Sequence, residues 1–263
     1  MLKIVSNMKL IKHIIYIGVI LLSSCTTLYE LDNKQNNIIS VSATPDSLIT
    51  SIIAPYKVGI DSVMNEILCI SEIEMIKGKP ESLLGNFVTD LCLEQYSDLA
   101  DICIMNNGGL RSSLPKGEIT RGDIYKLMPF DNELVILELD IISFKGLLEY
   151  ITSRGGEPFS GMIVVMSHDN KLINYLEPNP KSVDFINGGK IRVLTSDYLA
   201  NGGDKMWFFK NKEQIKMGTM LRDVIIDYCK SKKVISSELD SRIVKMKKEK
   251  IIEIMEWKVE ENL

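Results

Sequence analysis

The sequence predicts an α/β or α+β fold, in which helices and strands follow one another along the chain. Apolar residues at helical spacing alternate with short apolar runs typical of buried strands over about 170 residues. The 263 residues are 45% hydrophobic, which is enough to form a substantial core. A charged fraction of 25%, without low-complexity segments, is not typical of a disordered chain.

Four helices are predicted from capping residues and from apolar side chains that recur on one face. Thr44-Pro45 is typical of a helix start, Pro55 interrupts or kinks this first helix, and Ser82 is the expected N-cap of the second. The third ends before Gly155-Gly156, and a short helical turn follows Thr120. The four apolar faces are Ile60, Val63, Met64 and Ile67; Leu84, Phe87, Val88 and Leu91; Phe144, Leu147, Leu148 and Ile151; and Met217, Met220, Leu221, Val224, Ile225 and Tyr228.

Short apolar runs bounded by turn residues predict the strands. They are Ile102–Met105, Glu133–Leu139, Met162–Met166, Lys171–Tyr175 and Lys190–Leu199, with Leu68–Ile76 as a further candidate. Asp169-Asn170 is typical of a tight turn, so the third and fourth strands are expected to form a hairpin. Pro178 and Pro180 predict a loop over residues 177–187.

Residues 1–24 are predicted to be a signal peptide. Lys3, Lys9 and Lys12 precede the apolar run Ile14–Leu22, which is too short to span a bilayer. Ser23-Ser24-Cys25 then resembles a bacterial lipoprotein signal, in which Cys25 becomes the lipidated first residue. The alternative is an ordinary secretory signal with a chance cysteine. We expect a lipid-anchored protein of the bacterial cell envelope, with residues 25–45 as a tether.

Cleavage before Cys25 removes three lysines and changes the net charge from −4 to −7. No long basic run is present outside the N-terminus, which argues against nucleic-acid polymers as partners. An acidic protein that binds an anion needs local positive charge, so single arginines become important.

The remaining cysteines, Cys69, Cys92, Cys103 and Cys229, show neither CxxC spacing nor neighbouring histidines, which argues against a zinc site. We expect buried free thiols that act as small apolar groups, while a Cys92–Cys103 disulfide in an oxidising compartment stays open. His168 is expected to lie in a solvated turn.

Two glycine pairs, each following a predicted strand, are the candidate ligand-binding loops. Asn106-Asn107-Gly108-Gly109-Leu110-Arg111 offers glycines that permit positive φ, and an arginine fork suited to phosphate. The second loop is Asn201-Gly202-Gly203-Asp204. Phe130 and Tyr198 could stack a base, Asp204 could accept ribose hydroxyls and Arg111 could bind phosphate, which are the ingredients of a nucleotide site. The alternatives are that Phe130 belongs to the core and that Asp204 closes a turn.

From about Ser47 to Ile243 the sequence resembles the C-terminal domain of the 5′-nucleotidase family. The motifs that carry this resemblance are Glu81-Ser82-Leu83-Leu84-Gly85-Asn86, Asn106-Asn107-Gly108-Gly109-Leu110-Arg111, Gly117-Glu118-Ile119-Thr120, Pro129-Phe130-Asp131-Asn132, Ser160-Gly161 and Asp197-Tyr198-Leu199-Ala200-Asn201-Gly202-Gly203-Asp204. The resemblance implies a domain over residues 46–243, with mixed sheets covered by helices, and leaves 244–263 as a C-terminal extension that docks on the domain, docks on a partner or forms a solvated helix.

The resemblance also implies a nucleotide-binding role and its residues. The family's phosphate-contacting arginine falls on Arg111, the stacking aromatics on Phe130 and Tyr198, and the ribose-binding aspartate on Asp204. The expected binding residues are Asn106, Gly108, Gly109, Arg111, Phe130, Asn132, Tyr198, Gly202, Gly203, Asp204 and Lys79. Lys79 stands near the place where the family commonly has an arginine, and a lysine lacks the bidentate fork. Tyr198 replaces the usual phenylalanine and keeps the aromatic face.

In this family a separate N-terminal domain holds two catalytic metals through Asp, His and Asn. This sequence has two histidines, His13 and His168, and about 20 residues between Cys25 and the domain, so we expect no such dimetal site, no cofactor and no catalytic residue on this chain. Three hypotheses about the function follow. The chain is the substrate-binding half of a split enzyme that works with a separately encoded metallophosphatase, a non-catalytic nucleoside- or nucleotide-binding lipoprotein, or a structural lipoprotein that keeps only the fold. Base preference does not follow from stacking residues.

Overall fold

The computed structural model describes residues 44–176 and 188–247. The chain divides into two compact units, Met1–Ile49 and Thr50–Leu263, and the sheets and core below belong to the second. The signal peptide, the tether up to residue 43, the loop predicted over 177–187 and the tail after residue 247 lie outside the described residues.

Helices and strands alternate along the described chain, which confirms the predicted α/β class. The helices are α1 (Ser47–Met64), α2 (Leu83–Gln95), α3 (Arg121–Leu127), α4 (Ile141–Ser153), α5 (Asp197–Ala200) and α6 (Leu221–Lys232). The strands are β1 (Ile67–Ser71), β2 (Ile102–Ile104), β3 (Gly117–Thr120), β4 (Glu133–Leu139), β5 (Phe159–Ser160), β6 (Ile163–Ser167), β7 (Leu172–Leu176), β8 (Ile191–Ser196), β9 (Ile215–Met220), β10 (Val234–Ile235) and β11 (Ile243–Met246). Two 3₁₀ turns, Gly203–Lys205 and Trp207–Phe209, follow α5.

The main sheet has five strands in the order β5-β2-β8-β4-β9. Strands β2 and β8 are parallel, while β5, β4 and β9 pair antiparallel to their neighbours. Because successive side chains of a strand point to opposite faces, this sheet contributes to two hydrophobic clusters. Leu134 and Ile136 of β4 belong to one cluster, together with α2 and α6, while Val135 and Leu137 belong to the other, together with α4. The sheet therefore forms a middle layer with a core on each side.

Two three-stranded sheets complete the architecture. Strand β1 lies between β10 and β3, and β6 lies between β11 and β7. Strands β6 and β7 form the predicted hairpin, and His168 is exposed in the turn between them. Strand β11 pairs parallel to β6 as far as Met246, so the chain remains part of the sheet beyond residue 243.

Capping side chains explain where several helices begin. Ser82 Oγ accepts a hydrogen bond from Gly85 N at 3.1 Å, so the predicted N-cap of α2 is confirmed. For α1 the prediction was wrong: Asp46, and not Thr44, accepts from Leu48 N and Ile49 N, at 2.8 and 3.0 Å. An Asp at this position offers a charged acceptor to the first free N–H groups of the helix, which a residue farther upstream does not reach.

Four predicted elements differ clearly from the structure in extent. The candidate strand from Leu68 ends at Ser71, and the strand predicted to reach Leu199 ends at Ser196, whose hydroxyl accepts from Leu199 N at 3.3 Å and so starts α5. Helix α1 continues through Pro55. Met217 and Met220, predicted on the face of a helix, lie in strand β9, because Gly218 has a φ of 68° and the helix begins only at Leu221.

The described cysteines are free and buried, as expected. The Cys103 thiol hydrogen-bonds to Cys92, and burial raises the pKa of Cys103 well above its usual value. The two residues form no disulfide here.

Candidate functional site

Four strand ends meet at one edge of the main sheet. Strands β2 and β8 are parallel neighbours, with Cys103 opposite Leu194, so the chain leaves both strands at the same edge. Strand β4 is antiparallel to β8 and β5 is antiparallel to β2, so both of them begin there. The segments after β2 and β8 and before β4 and β5 are therefore brought together, at the kind of edge where α/β sheets commonly bind ligands.

A cavity of about 320 Å³ lies between the segments after β2 and β8 and the segment before β4. Its lining residues are Asn106, Gly108, Gly109, Arg111, Phe130, Asn132, Tyr198 and Asp204. All eight were predicted as binding residues, and they come from three separate stretches of the sequence. Phe130 and Tyr198 are 41% and 48% exposed, whereas Phe87, Phe144, Phe159, Phe208 and Phe209 are buried. Phe130 is thus not a core residue, and two aromatic rings with accessible surface border the cavity.

Gly109 of the first loop leaves space for the Asn106 side chain. Neither Gly108 nor Gly109 adopts the positive φ that a glycine permits. A Cβ on Gly109 would lie 2.7 Å from Asn106 Oδ1, so a side chain at 109 would displace the buried Asn106. The loop is closed by a hydrogen bond from Gly109 N to Asn106 O of 3.0 Å. Its glycines therefore allow the Asn106 amide to fold back beneath the loop.

Asp204 is held by contacts from the first loop, from α4 and its C-cap, and from α5. Its Oδ2 accepts a hydrogen bond from Asn106 Nδ2 at 2.6 Å and lies 3.9 Å from Arg154 Nη2. Its backbone carbonyl accepts from the Tyr150 hydroxyl at 3.1 Å, and its N–H donates to the Tyr198 hydroxyl at 3.2 Å. Burial raises the pKa of Tyr150 to about 12, so this phenol remains a neutral donor. The side-chain contacts all use Oδ2, and within the described chain no side chain hydrogen-bonds to Oδ1.

Arg111 supplies positive charge at the rim of the cavity. The side chain is exposed, Nη1 donates to Gly108 O at 3.3 Å, and the guanidinium carbon lies 5.8 Å from the centroid of the Phe130 ring. The backbone N–H of Arg111 donates to Leu127 O at 2.8 Å, which joins the loop to the end of α3. Because the guanidinium is open to solvent, it can bind an anion without first losing a carboxylate partner.

Three predicted residues do not line the cavity. Gly202 has a φ of 88° and precedes the turn that carries Asp204. Gly203 packs directly under Tyr198, with a hypothetical Cβ only 2.5 Å from Tyr198 O. Lys79 is directed elsewhere: its Nζ donates to the carbonyl of Arg154 and lies 3.8 Å from Glu157 Oε1. Gly202 and Gly203 thus shape the turn next to the cavity without lining it. Lys79 interacts with Arg154 and Glu157 outside the cavity.

The sequence reasoning missed Glu157, Arg154 and Tyr150, which surround Asp204 and the first loop. Glu157 Oε2 accepts a hydrogen bond from Asn107 N at 2.7 Å. Arg154 packs on the Tyr150 ring, with the guanidinium carbon 5.3 Å from its centroid. Glu157 follows the glycine pair 155–156 and precedes the two-residue strand β5, which is too short for its pairing to be predicted. An acidic residue directly after a glycine pair is also common in exposed turns, so the sequence carried no signal that Glu157 is buried.

The arrangement offers two aromatic faces, a carboxylate and an arginine around one cavity.

In residues 44–176 and 188–247, no three His, Cys, Asp or Glu side chains are placed to hold a metal ion. In the same ranges, no helix combines the length and the apolar composition needed to cross a bilayer.

Comparison with known sequences identifies a family. Residues 70–211 match the sequence model of the family described as 5′-nucleotidase, C-terminal domain. The chain is 30% identical over 169 residues to the trifunctional nucleotide phosphoesterase YfkN of Bacillus subtilis, a match that covers 57% of this chain and 12% of that protein. It is 26% identical over 212 residues to an apyrase of Tabanus yao, covering 68% of this chain and 38% of the apyrase.

Solved structures share the fold. The 5′-nucleotidase precursor from Thermus thermophilus aligns with a TM-score of 0.63 at 22% identity, over 76% of this chain and 43% of its own. The NAD nucleotidase of Haemophilus influenzae aligns with a TM-score of 0.58 at 19% identity, over 77% of this chain and 42% of its own. The chain thus spans less than half the length of each of these relatives. Since the family match covers more than half of the sequence, the chain belongs to the 5′-nucleotidase C-terminal domain family.

Proposed function

We propose that this chain is the nucleotide- or nucleoside-binding domain of a 5′-nucleotidase-type phosphohydrolase and works with a metallophosphatase on another polypeptide. The observation that carries the proposal is the single cavity lined by Asn106, Arg111, Phe130, Tyr198 and Asp204. Its aromatic faces suit a base, the Asp204 carboxylate suits ribose hydroxyls, and the exposed Arg111 suits a phosphate. Family membership supports the same ligand class.

Titration calorimetry with adenosine and AMP tests the binding half of the proposal. Phe130→Ala and Tyr198→Ala each remove a stacking face, worth about 1–3 kcal/mol per base, so we expect each to weaken binding by about ten- to a hundredfold. Tyr56→Ala is the matched control, because Tyr56 is an exposed aromatic on α1 outside the cavity. Absence of heat with every nucleoside and nucleotide, or an equal loss in the Tyr56 variant, would contradict the proposal.

Phosphate release from AMP tests the split enzyme. We expect no release by this chain alone, and release after mixing with the metallophosphatase in the presence of Mn²⁺ but not of EDTA, because metals activate the water and stabilise the leaving oxygen. In the mixture, Phe130→Ala should lower kcat/KM. Full turnover by the purified chain in EDTA would rule out the split arrangement.

A second candidate is a binding protein that captures nucleosides or nucleotides without hydrolysis. The observation in its favour is that one cavity of this chain brings together groups suited to a base, a ribose and a phosphate, namely Phe130, Tyr198, Asp204 and Arg111. It predicts the same affinities with and without a metallophosphatase and no release of phosphate from the mixture. The mixing experiment therefore separates the two functions.

The proposal includes anchoring of the chain to a bacterial membrane through lipid on Cys25. Metabolic labelling with a radioactive fatty acid should label the natural protein and not Cys25→Ser, and the variant should move from the membrane fraction to the soluble fraction. Labelling of the variant would exclude Cys25 as the site of lipidation.

A further inference from the structure

A buried carboxylate lies directly behind the cavity without lining it. Glu157 is only 2% exposed, and it precedes β5 at the edge where the four strand ends meet. Its Oε2 accepts from Asn107 N at 2.7 Å, and its Oε1 accepts from Arg154 Nε at 3.0 Å, with Lys79 Nζ at 3.8 Å. A buried charge is costly unless it is paired and hydrogen-bonded, and here each carboxylate oxygen of Glu157 accepts a hydrogen bond.

Arg154 connects this carboxylate to the cavity. One guanidinium nitrogen, Nε, donates to Glu157, while Nη2 lies 3.9 Å from Asp204 Oδ2, which is beyond hydrogen-bonding distance. The Arg154 side chain is therefore directed mainly to Glu157 and only approaches Asp204. Its hydrogen bond to Glu157 raises the pKa of Arg154, and Tyr150 supports it through a cation–π contact.

Glu157 affects the cavity indirectly, through its hydrogen bonds with Asn107 and Arg154. On one side it fixes Asn107, whose neighbour Asn106 donates to Asp204 at 2.6 Å. On the other side it keeps Arg154 from closing on the Asp204 carboxylate. Without the negative charge of Glu157, Asp204 would be the remaining carboxylate near the guanidinium, and a full Arg154–Asp204 ion pair would compete with any hydroxyl donor.

We propose that Glu157 is a positioning residue for the ligand site, which fixes the Asn106 loop and holds Arg154 off Asp204, so that Asp204 stays available to a sugar diol. This inference rests on the proposed nucleoside-binding function and adds a residue to it. It predicts that loss of the Glu157 charge acts on sugar recognition and leaves base recognition unchanged.

The test compares adenosine with 2′,3′-dideoxyadenosine, which keeps the base and lacks the diol. Glu157→Gln keeps an oxygen that can accept from Asn107 N and loses the charge. We expect it to weaken adenosine binding by about tenfold, the scale of a hydrogen bond to a charged group, and to leave dideoxyadenosine binding unchanged. Removing the competitor in the double variant Glu157→Gln/Arg154→Gln should restore adenosine affinity to within about threefold of the unaltered protein.

Glu138→Gln is the matched control, because Glu138 forms an exposed ion pair with Lys190 at 3.0 Å and does not line the cavity. Equal weakening of both ligands in Glu157→Gln, no weakening of adenosine, or no recovery in the double variant would overturn the positioning role. If Glu157→Gln does not fold, the double variant still decides, since loss of adenosine binding by a folded double variant overturns the proposal. Absence of adenosine binding by the unaltered protein would instead overturn the proposed function, and the positioning role with it.

Discussion

Gly203 places the Tyr198 ring at the cavity by leaving no atom beneath it. A Cβ at position 203 would lie 2.5 Å from Tyr198 O and 2.6 Å from Cε1 of its ring. Since the nearest atom is backbone, the clash cannot be relieved by a side-chain rotation alone. We expect Gly203→Ala to displace the ring and to reduce adenosine affinity at least tenfold, with a loss of about 1–3 kcal/mol in unfolding free energy. Calorimetry and urea unfolding measure the two effects.

Gly59→Ala is the control for this substitution. Gly59 lies in α1, where a Cβ would meet nothing within 4 Å. Alanine favours helices over glycine by up to about 1 kcal/mol, so this variant should be neutral or slightly stabilised and should bind adenosine normally. Normal adenosine binding by Gly203→Ala would show that the position of the Tyr198 ring tolerates the added methyl group.

At the residue scale, the sequence allowed us to predict the residues that line the cavity, but not Glu157, Arg154 and Tyr150, which contact them or the first loop. Residue type alone left Phe130 open as a core residue and Asp204 as a turn residue. The resemblance to the 5′-nucleotidase C-terminal domain assigned both of them, together with Tyr198, to the site. Glu157 acts through contacts with residues 50 positions away, such as Asn107, and no local pattern encodes such a contact. Lys79 was misplaced for the same reason, because its partners Arg154 and Glu157 lie far along the chain.

The N-cap of helix α4, Asp140, makes two separable contacts. Asp140 Oδ1 accepts from Ser143 N at 2.8 Å as the N-cap, and Oδ2 accepts from Lys212 Nζ at 2.8 Å. Asp140→Ala removes both contacts and should cost about 1 kcal/mol or slightly more, whereas Asp140→Asn keeps a capping oxygen and should cost less. Urea unfolding of the two variants measures the difference, and equal losses would show that the cap contributes nothing.

The pH dependence of the same contact has a defined sign. The hydrogen bond from Lys212, followed by that from Ser143 N, lowers the pKa of Asp140 well below its usual value. A lowered folded-state pKa gives stability that is complete above the unfolded-state value, near 4, and is lost as the pH falls below it. The stability difference between the natural protein and Asp140→Asn should therefore be constant from about pH 5 to pH 8 and shrink below about pH 4. A difference that grows on acidification would contradict the assignment.

At the scale of elements, locally encoded features were predictable and distant pairing was not. Strand β4 has the predicted bounds, and the Ser82 cap is where capping chemistry indicates. Met217 and Met220 fit a helical stripe with Leu221 and Val224, yet they lie in β9 because Lys216 and Met220 pair with β4 about 80 residues earlier. Gly218 also has a left-handed backbone conformation, which interrupts a helix and which the spacing of apolar residues does not reveal.

A buried arginine, Arg242, connects elements that pack in different hydrophobic clusters of the described residues. Arg242 is 6% exposed and donates from Nη1 to the Phe159 carbonyl at 2.7 Å, next to the cluster that contains α4. Both terminal nitrogens also donate to the Asp90 carboxylate of α2, at 2.9 Å, and Nη2 and Nε donate to Asp240 at 2.8 Å. The guanidinium thus joins α2 to β5 at the start of β11, and both the C-terminal strand and the site edge depend on it.

Arg242→Ala should therefore weaken the whole fold. It leaves two carboxylates and a carbonyl without their donor, and we expect a loss of about 3 kcal/mol in unfolding free energy, seen as a lower urea midpoint. Lys232→Ala is the control, since its exposed ion pair with Glu94 is worth at most about 1 kcal/mol.

Thiol reactivity distinguishes a global effect of Arg242→Ala from local fraying. Cys69, Cys92, Cys103 and Cys229 are buried, so in a Cys25→Ser background they react with a thiol reagent only after the fold opens. If Arg242 links the clusters, all four should react faster in Arg242→Ala by about the same factor, on the order of a hundredfold for a loss of about 3 kcal/mol. Faster reaction of Cys92 and Cys103 alone would confine its role to the region of α2 and β2.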